Sequence, residues 1–217
     1  MSVTERLETV NAELVQMTRL VGSAMNRATQ ALLDADLVLA ESVIAADAQI
    51  DTLASAIEEQ CFDLIVTDQP TSAELPFVIG ALRIATSLER MGDLADHVAK
   101  QSRLRYPRLS IPQELRGTFA EMGGLAEAIV SKTGAVIATR DVALTADIAR
   151  HDEEVDRLHR ELFTIVLSPK WSHGVEAAID VTLLSRYYER YADHAVSVTR
   201  RVVTIVTGAP YVGVSLA

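Results

Sequence analysis

Apolar residues recur every three or four positions through most of this chain, and the pattern is interrupted around prolines at positions 70, 76, 107, 112, 169 and 210. An interior proline removes a backbone donor and clashes with the preceding turn, so these positions map the joints between helices. The run before Pro70 is too long for one bundle helix and is expected to bend near Leu33-Asp34-Ala35-Asp36. The matching joint in the second half is Thr139-Arg140-Asp141, with Asp36 and Asp141 105 positions apart. The spacing predicts six helices, over about 4–34, 36–66, 72–104, 113–139, 141–166 and 172–207. Long helices joined by short turns pack antiparallel, so the expectation is an all-α fold of two tandem three-helix bundles. The first bundle covers 1–106 and the second 113–209, linked by Tyr106-Pro107-Arg108-Leu109-Ser110-Ile111-Pro112, with a loose tail after Gly208-Ala209-Pro210.

Acidic residues intrude on the apolar stripes. In the second helix the seam runs Ala40, Val43, Ile44, Ile50, Ala54, Ile57 and Cys61, with Leu53 at its edge, and Asp47 and Asp51 fall inside it. In the third, Val78, Leu82 and Ala85 lead into Glu89, Asp93 and Asp96. In the fifth, Ile148, Val155 and Leu162 flank Asp152 and Asp156.

These acids repeat. Asp47 with Asp51 recurs 105 positions later as Asp152 with Asp156, and Glu89 with Asp93 recurs 100 positions later as Glu189 with Asp193. Like charges at i and i+4 on a helix cost about 0.2–0.5 kcal/mol per pair, so four in register call for a compensating partner. Spacing alone is weak, because 30 acids in 217 residues give roughly four such pairs by chance. Glu59 with Asp63 and Glu176 with Asp180 share the spacing but have no counterpart in the other half, and are expected to be solvated helix faces.

Carboxylates partly withdrawn from water need a cation, a donor or a proton. Three outcomes stay open at this point: a metal cluster on the acids of each half, an ion-pair girdle in which Arg90 and Arg190 reach acids of neighbouring helices, or acids that protrude into water. His97, one turn past Asp93, is a further candidate ligand, although its counterpart Ser197 is a poor one. His194 points about 100° from Asp193 and is expected to pack or lie on the surface. His159 is a weak candidate.

Composition narrows the field. Aromatics are 5% of the chain and glycine is scarce, which suits helices packed through small aliphatic residues. A formal charge of -10 and a pI near 5.0 argue against nucleic acid, whose phosphates would be repelled. No run approaches the 18 or so apolar residues of a membrane span. The single cysteine, Cys61, has no internal disulfide partner, and no leader precedes the polar opening, so a reducing, cytoplasmic location is expected. Cys61 lies in an apolar seam and reads as a small core residue, not a nucleophile. Ser172 is a candidate N-cap for the sixth helix, and Trp171 is expected to pack between the bundles. No glycine-rich phosphate cradle is present.

Leu88-Glu89-Arg90-Met91-Gly92-Asp93 and Tyr188-Glu189-Arg190-Tyr191-Ala192-Asp193-His194-Ala195 resemble the duplicated signature of the PhoU family of phosphate-signalling proteins. The acids at 47, 51, 152 and 156 fall where that family carries its other acidic motif. Nearly the whole chain follows the family's length, duplication and motif order. The resemblance implies two three-helix bundles, often dimeric, with multinuclear iron or zinc clusters (manganese or magnesium as alternatives) held by Asp47, Asp51, Glu89, Asp93, Asp152, Asp156, Glu189 and Asp193, with His97 an added candidate. It also implies a negative regulator of the phosphate-starvation response that links a phosphate ABC transporter, through its ATPase subunit, to a sensor histidine kinase. The chain departs from the family pattern in having His97 and Ser197 for asparagine, Leu94 for histidine, Pro76 for arginine, and Tyr191-Ala192 for Ile-Gly.

The leading expectation is therefore a non-enzymatic adaptor acting by differential affinity. Two alternatives differ in class. A di-metal carboxylate oxidoreductase normally places a histidine three residues after a bridging glutamate, and no histidine here follows a glutamate at that distance; the nearest approach is Asp156 to His159. A metal-free helical scaffold would use the same acids as charge pairs or docking contacts.

Overall fold

The computed structural model describes residues 2–208. Six long helices run in order: α1 (Val3–Asp34), α2 (Leu37–Asp63), α3 (Leu75–Arg105), α4 (Arg116–Thr139), α5 (Thr145–Val166) and α6 (Gly174–Thr207). No strand occurs among the described residues. The expected loose tail lies, apart from Gly208, outside them.

Local chemistry sets the helix ends. Ser2 and Glu5 form a reciprocal capping box at the start of α1. The bend foreseen near residue 35 is a break: Ala35 turns left-handed at φ 51°, and the Asp36 carboxylate accepts from the Leu39 amide at 2.9 Å to open α2. The second half repeats the device, with Arg140 at φ 58° and Asp141 accepting from the Ala143 amide. Pro76 sits at the start of α3, where its missing amide hydrogen costs nothing. Ser172 is not the cap of α6; His173 occupies that position without a side-chain bond to the helix amides, and the helix opens at Gly174.

Helices α1, α2 and α3 pack on one another, as do α4, α5 and α6, giving the two three-helix bundles expected. The bundles are not beads on a linker. Helix α1 packs along α4 and α3 along α6, so one continuous apolar core runs through both halves, while α2 and α5 flank it. Small residues permit this approach: a Cβ at Gly123 would stand 2.5 Å from Thr29, and one at Gly134 would stand 2.5 Å from the Thr18 hydroxyl. Polar groups inside the seam are matched across it. The Tyr188 hydroxyl lies 2.7 Å from Thr29 Oγ1, and Tyr191 donates to the Val21 carbonyl at 3.2 Å. Cys61 is fully buried in the core, and burial pushes its thiol up to about 11, which fits the packing role. Trp171 packs against the edge of the core and donates its indole N–H to the Gly174 carbonyl.

Candidate functional site

The repeated acids meet at the α2–α3 contact in the first half and at α5–α6 in the second. Gly92 lets α2 approach α3 closely, since a Cβ there would touch Ile50 and stand 3.3 Å from Asp47 Oδ1. Asp47 is thereby pressed against the α3 backbone. Burial, then the charges of Asp96, Asp51 and Asp93, push its carboxyl up to about 6, against the pull of Lys100. Burial also raises Glu89, with Arg90 opposing and Asp93 and Asp51 adding to the rise.

The second half repeats this arrangement. Burial, then Asp156 and Asp193, push Asp152 up to about 7, with Arg200 opposing. Glu189 and Asp193 are raised too, chiefly by burial and next by each half-site's neighbouring acids, Asp193 for the first and Asp156 for the second. Each ledge carries a cation at its far end, Lys100 in one and Arg200 in the other, 100 positions apart.

The eight paired acids thus fall in two groups of four, one at the α2–α3 contact and one at the α5–α6 contact. They are ledges and not cages: among the described residues no three or more His, Cys, Asp or Glu side chains converge on one point closely enough to enclose an ion. The donor set is all oxygen, the kind that hard cations take while keeping part of their water. Glu189 Oε1 accepts from Arg186, but Oε2 is buried with no hydrogen-bond partner among the described residues, which marks a place for a cation or a proton.

Arg90 does not build an interhelical girdle; it pairs with Asp93 on its own helix at 2.7 Å. His97 is exposed, with its ring 5.2 Å from that of Tyr187 across the α3–α6 seam. His159 is engaged by the Ser185 hydroxyl at 2.9 Å and by the edge of Phe163. His194 is half-buried, and burial lowers its pKa.

Two features escaped the pairing pattern. Asp96 is 4% exposed, bonds Lys100 at 2.5 Å and leaves Oδ1 buried without a partner, which adds a fifth acid to the first ledge only. Its counterpart is Val196, so a search for repeats passes over it; its place on the apolar face of α3 was the available signal. The second feature is a correction. Glu59 and Asp63 are exposed as expected, but Glu176 with Asp180 is not a solvated face. Asp180 is 3% exposed and accepts from Arg105 Nε at 2.6 Å, Arg105 Nη2 at 2.9 Å and Gln101 Nε2 at 2.6 Å, while Glu176 also pairs with Arg105.

Known proteins share this architecture. The PhoU domain family matches residues 14–102 and 119–202, one match per bundle. The chain is 46% identical over 205 residues to the phosphate-specific transport system accessory protein PhoU homolog 2 of Mycobacterium tuberculosis, covering 94% of this chain and 96% of that protein. It is 44% identical to PhoU homolog 1 of Mycobacterium leprae over 94% of this chain and 92% of the relative. The crystal structure of PhoU from Pseudomonas aeruginosa superposes with a TM-score of 0.83 at 28% identity, covering 95% of this chain and 99% of that one. A doubled family match and identity of this extent, on a doubled bundle bearing doubled acidic ledges, place the chain in the PhoU family of phosphate-transport accessory proteins.

Proposed function

We propose that this chain is a non-enzymatic, metal-binding adaptor of the cytoplasm that holds the phosphate-starvation response off by linking the ATPase subunit of a phosphate ABC transporter to a sensor histidine kinase. The observation that carries it is the pair of coupled carboxylate ledges, with Asp47 and Asp152 pushed up to about 6 and 7 and Glu189 Oε2 left without a partner. Groups so disposed change charge with their surroundings, which is what a binding surface with two states requires.

Asp47, Asp51, Glu89 and Asp93 would hold metal in the first half, and Asp152, Asp156, Glu189 and Asp193 in the second. Iron or zinc clusters are the proposed occupants, with manganese or magnesium as all-oxygen alternatives. Bound metal would supply positive charge that cancels the ledge's self-repulsion and offers open coordination positions to a partner's acids. The chain's own residues set the occupancy: Arg90 and Arg186 compete for Asp93 and Glu189, and Lys100 and Arg200 bias the far ends. A homodimer is the proposed assembly. No helix among the described residues is long and apolar enough to cross a membrane, so the membrane would be reached through the transporter.

Two measurements test this reading. Protein purified without chelators is assayed for iron, zinc, manganese and magnesium, and Asp51→Asn with Asp93→Asn should lower the content by about half; unchanged metal in that variant rejects the ledge as the site. Pull-downs against the transporter ATPase subunit and the sensor kinase of the same cell should show capture at micromolar protein. Failure to capture either rejects the adaptor role.

A further inference from the structure

Helices α3 and α6 cross antiparallel and are related by the 100-position repeat, so each contact at one end of their seam has a counterpart at the other. At one end Asp180 receives Arg105 and Gln101, and Glu176 receives Arg105. At the other end both acids are gone: Gly80 stands for Asp180 and Pro76 for Glu176. Ile205 stands for Arg105 and lies against Gly80, while Arg201 stands for Gln101.

Both members of that ion pair are gone, and an arginine stands in the place of Gln101. Arg201 Nε is buried without a hydrogen-bond partner among the described residues, and burial together with the neighbouring Arg83 charge lowers its pKa. Beside the two arginines opens a groove of about 750 Å³ walled by Leu75, Pro76, Ile79 and Ile205. That is the size and character of a small-molecule site, apolar with a few placed polar groups. Arg200 also lines it, but its charge acts on the Asp152 ledge.

We propose that this groove binds a small amphipathic carboxylate, whose oxygens sit beside Arg201 and Arg83 and whose apolar body lies along Ile79 and Ile205. The inference is independent of the metal ledges and of the adaptor role. Charge complementarity selects the anion, because Arg83 and Arg201 line the groove and no acidic side chain does among the described residues. A bulky apolar body is selected by the walls.

Octanoate and its neutral counterpart octanol serve as probes, titrated into full-length protein carrying labelled isoleucine methyls. Octanoate should shift the Ile79 and Ile205 methyls saturably, and octanol should bind more weakly. Arg201→Gln should weaken octanoate about tenfold or more and leave octanol unchanged, and exposed Arg83→Gln should weaken octanoate roughly two- to fivefold. Gly80→Asp combined with Ile205→Ala installs an internal carboxylate and should abolish octanoate shifts at Ile79. Equal binding of octanoate and octanol, shifts confined to other methyls, or octanoate affinity indifferent to Arg201→Gln overturns the proposal. Should Arg201→Gln fail to fold, unchanged affinity in Arg83→Gln overturns it by itself.

Discussion

Asp180 of α6 is clasped by Arg105 of α3 through Nε at 2.6 Å and Nη2 at 2.9 Å, a bidentate pair that ties the two bundles together at one end of their seam. Because Asp180 is 3% exposed, its removal leaves the opposing donors without an acceptor in a place water does not reach. Asp180→Ala should cost about 3 kcal/mol in denaturant unfolding. Glu176→Gln, in the exposed part of the same cluster, should cost under about 1 kcal/mol. Equal effects would show that the buried member is not the anchor.

The α1–α4 seam depends on glycines that have no room for a methyl group. Gly123→Ala drives a Cβ to 2.5 Å from Thr29, a branched side chain already held by its own bonds to the Met25 carbonyl and Tyr188. Overpacking should outweigh the gain in helix propensity, with a net loss of about 1–3 kcal/mol. The adjacent Gly124→Ala meets nothing within 4 Å and should stabilise by up to about 1 kcal/mol. Thermal melts of the two variants should move in opposite directions.

Tyr188→Phe removes one buried hydroxyl while Thr29 keeps its bond to the Met25 carbonyl. The expected loss is about 1 kcal/mol by urea unfolding. A loss several times larger would mean that the pair organises the seam beyond its own hydrogen bond.

The ledges give a pH dependence of unusual sign for carboxylates. Asp152 rises to about 7 and Asp47 to about 6, both above the 3.8 of an aspartate in an unfolded chain. Between those limits the folded chain binds more protons than the unfolded one, so this contribution is fully present below about pH 4 and lost as pH climbs through 6 to 7. Chelator-treated protein should therefore lose stability from these groups between about pH 4 and 7, and Asp47→Asn with Asp152→Asn should flatten that part of the profile. Metal added at pH 8 should restore stability, and metal added near pH 6, where Asp152 and part of Asp47 still hold protons, should release them.

Helix number and the α1–α2 and α4–α5 joints were legible because they rest on local chemistry. Apolar spacing, proline positions and the Asp36 and Asp141 caps all act within a few residues. The ledges were legible for a different reason: duplication singles out Asp47, Asp51, Glu89, Asp93, Asp152, Asp156, Glu189 and Asp193 against a background of chance pairs. That His97 lies beside Tyr187 of α6 was not legible, because spacing along α3 does not say which helix packs against it.

By itself, then, the chain's periodicity determined six rods in two trios, and its repeat determined which acids share a face. Only the tertiary structure decided that Asp180 is buried while Asp63 is exposed, although both sit in the same i, i+4 spacing. It likewise decided that Arg201 Nε is buried without a hydrogen-bond partner among the described residues. Burial of a charge is set by a helix arriving from 75 or more positions away, and the partner it brings cannot be read from the spacing on either helix alone.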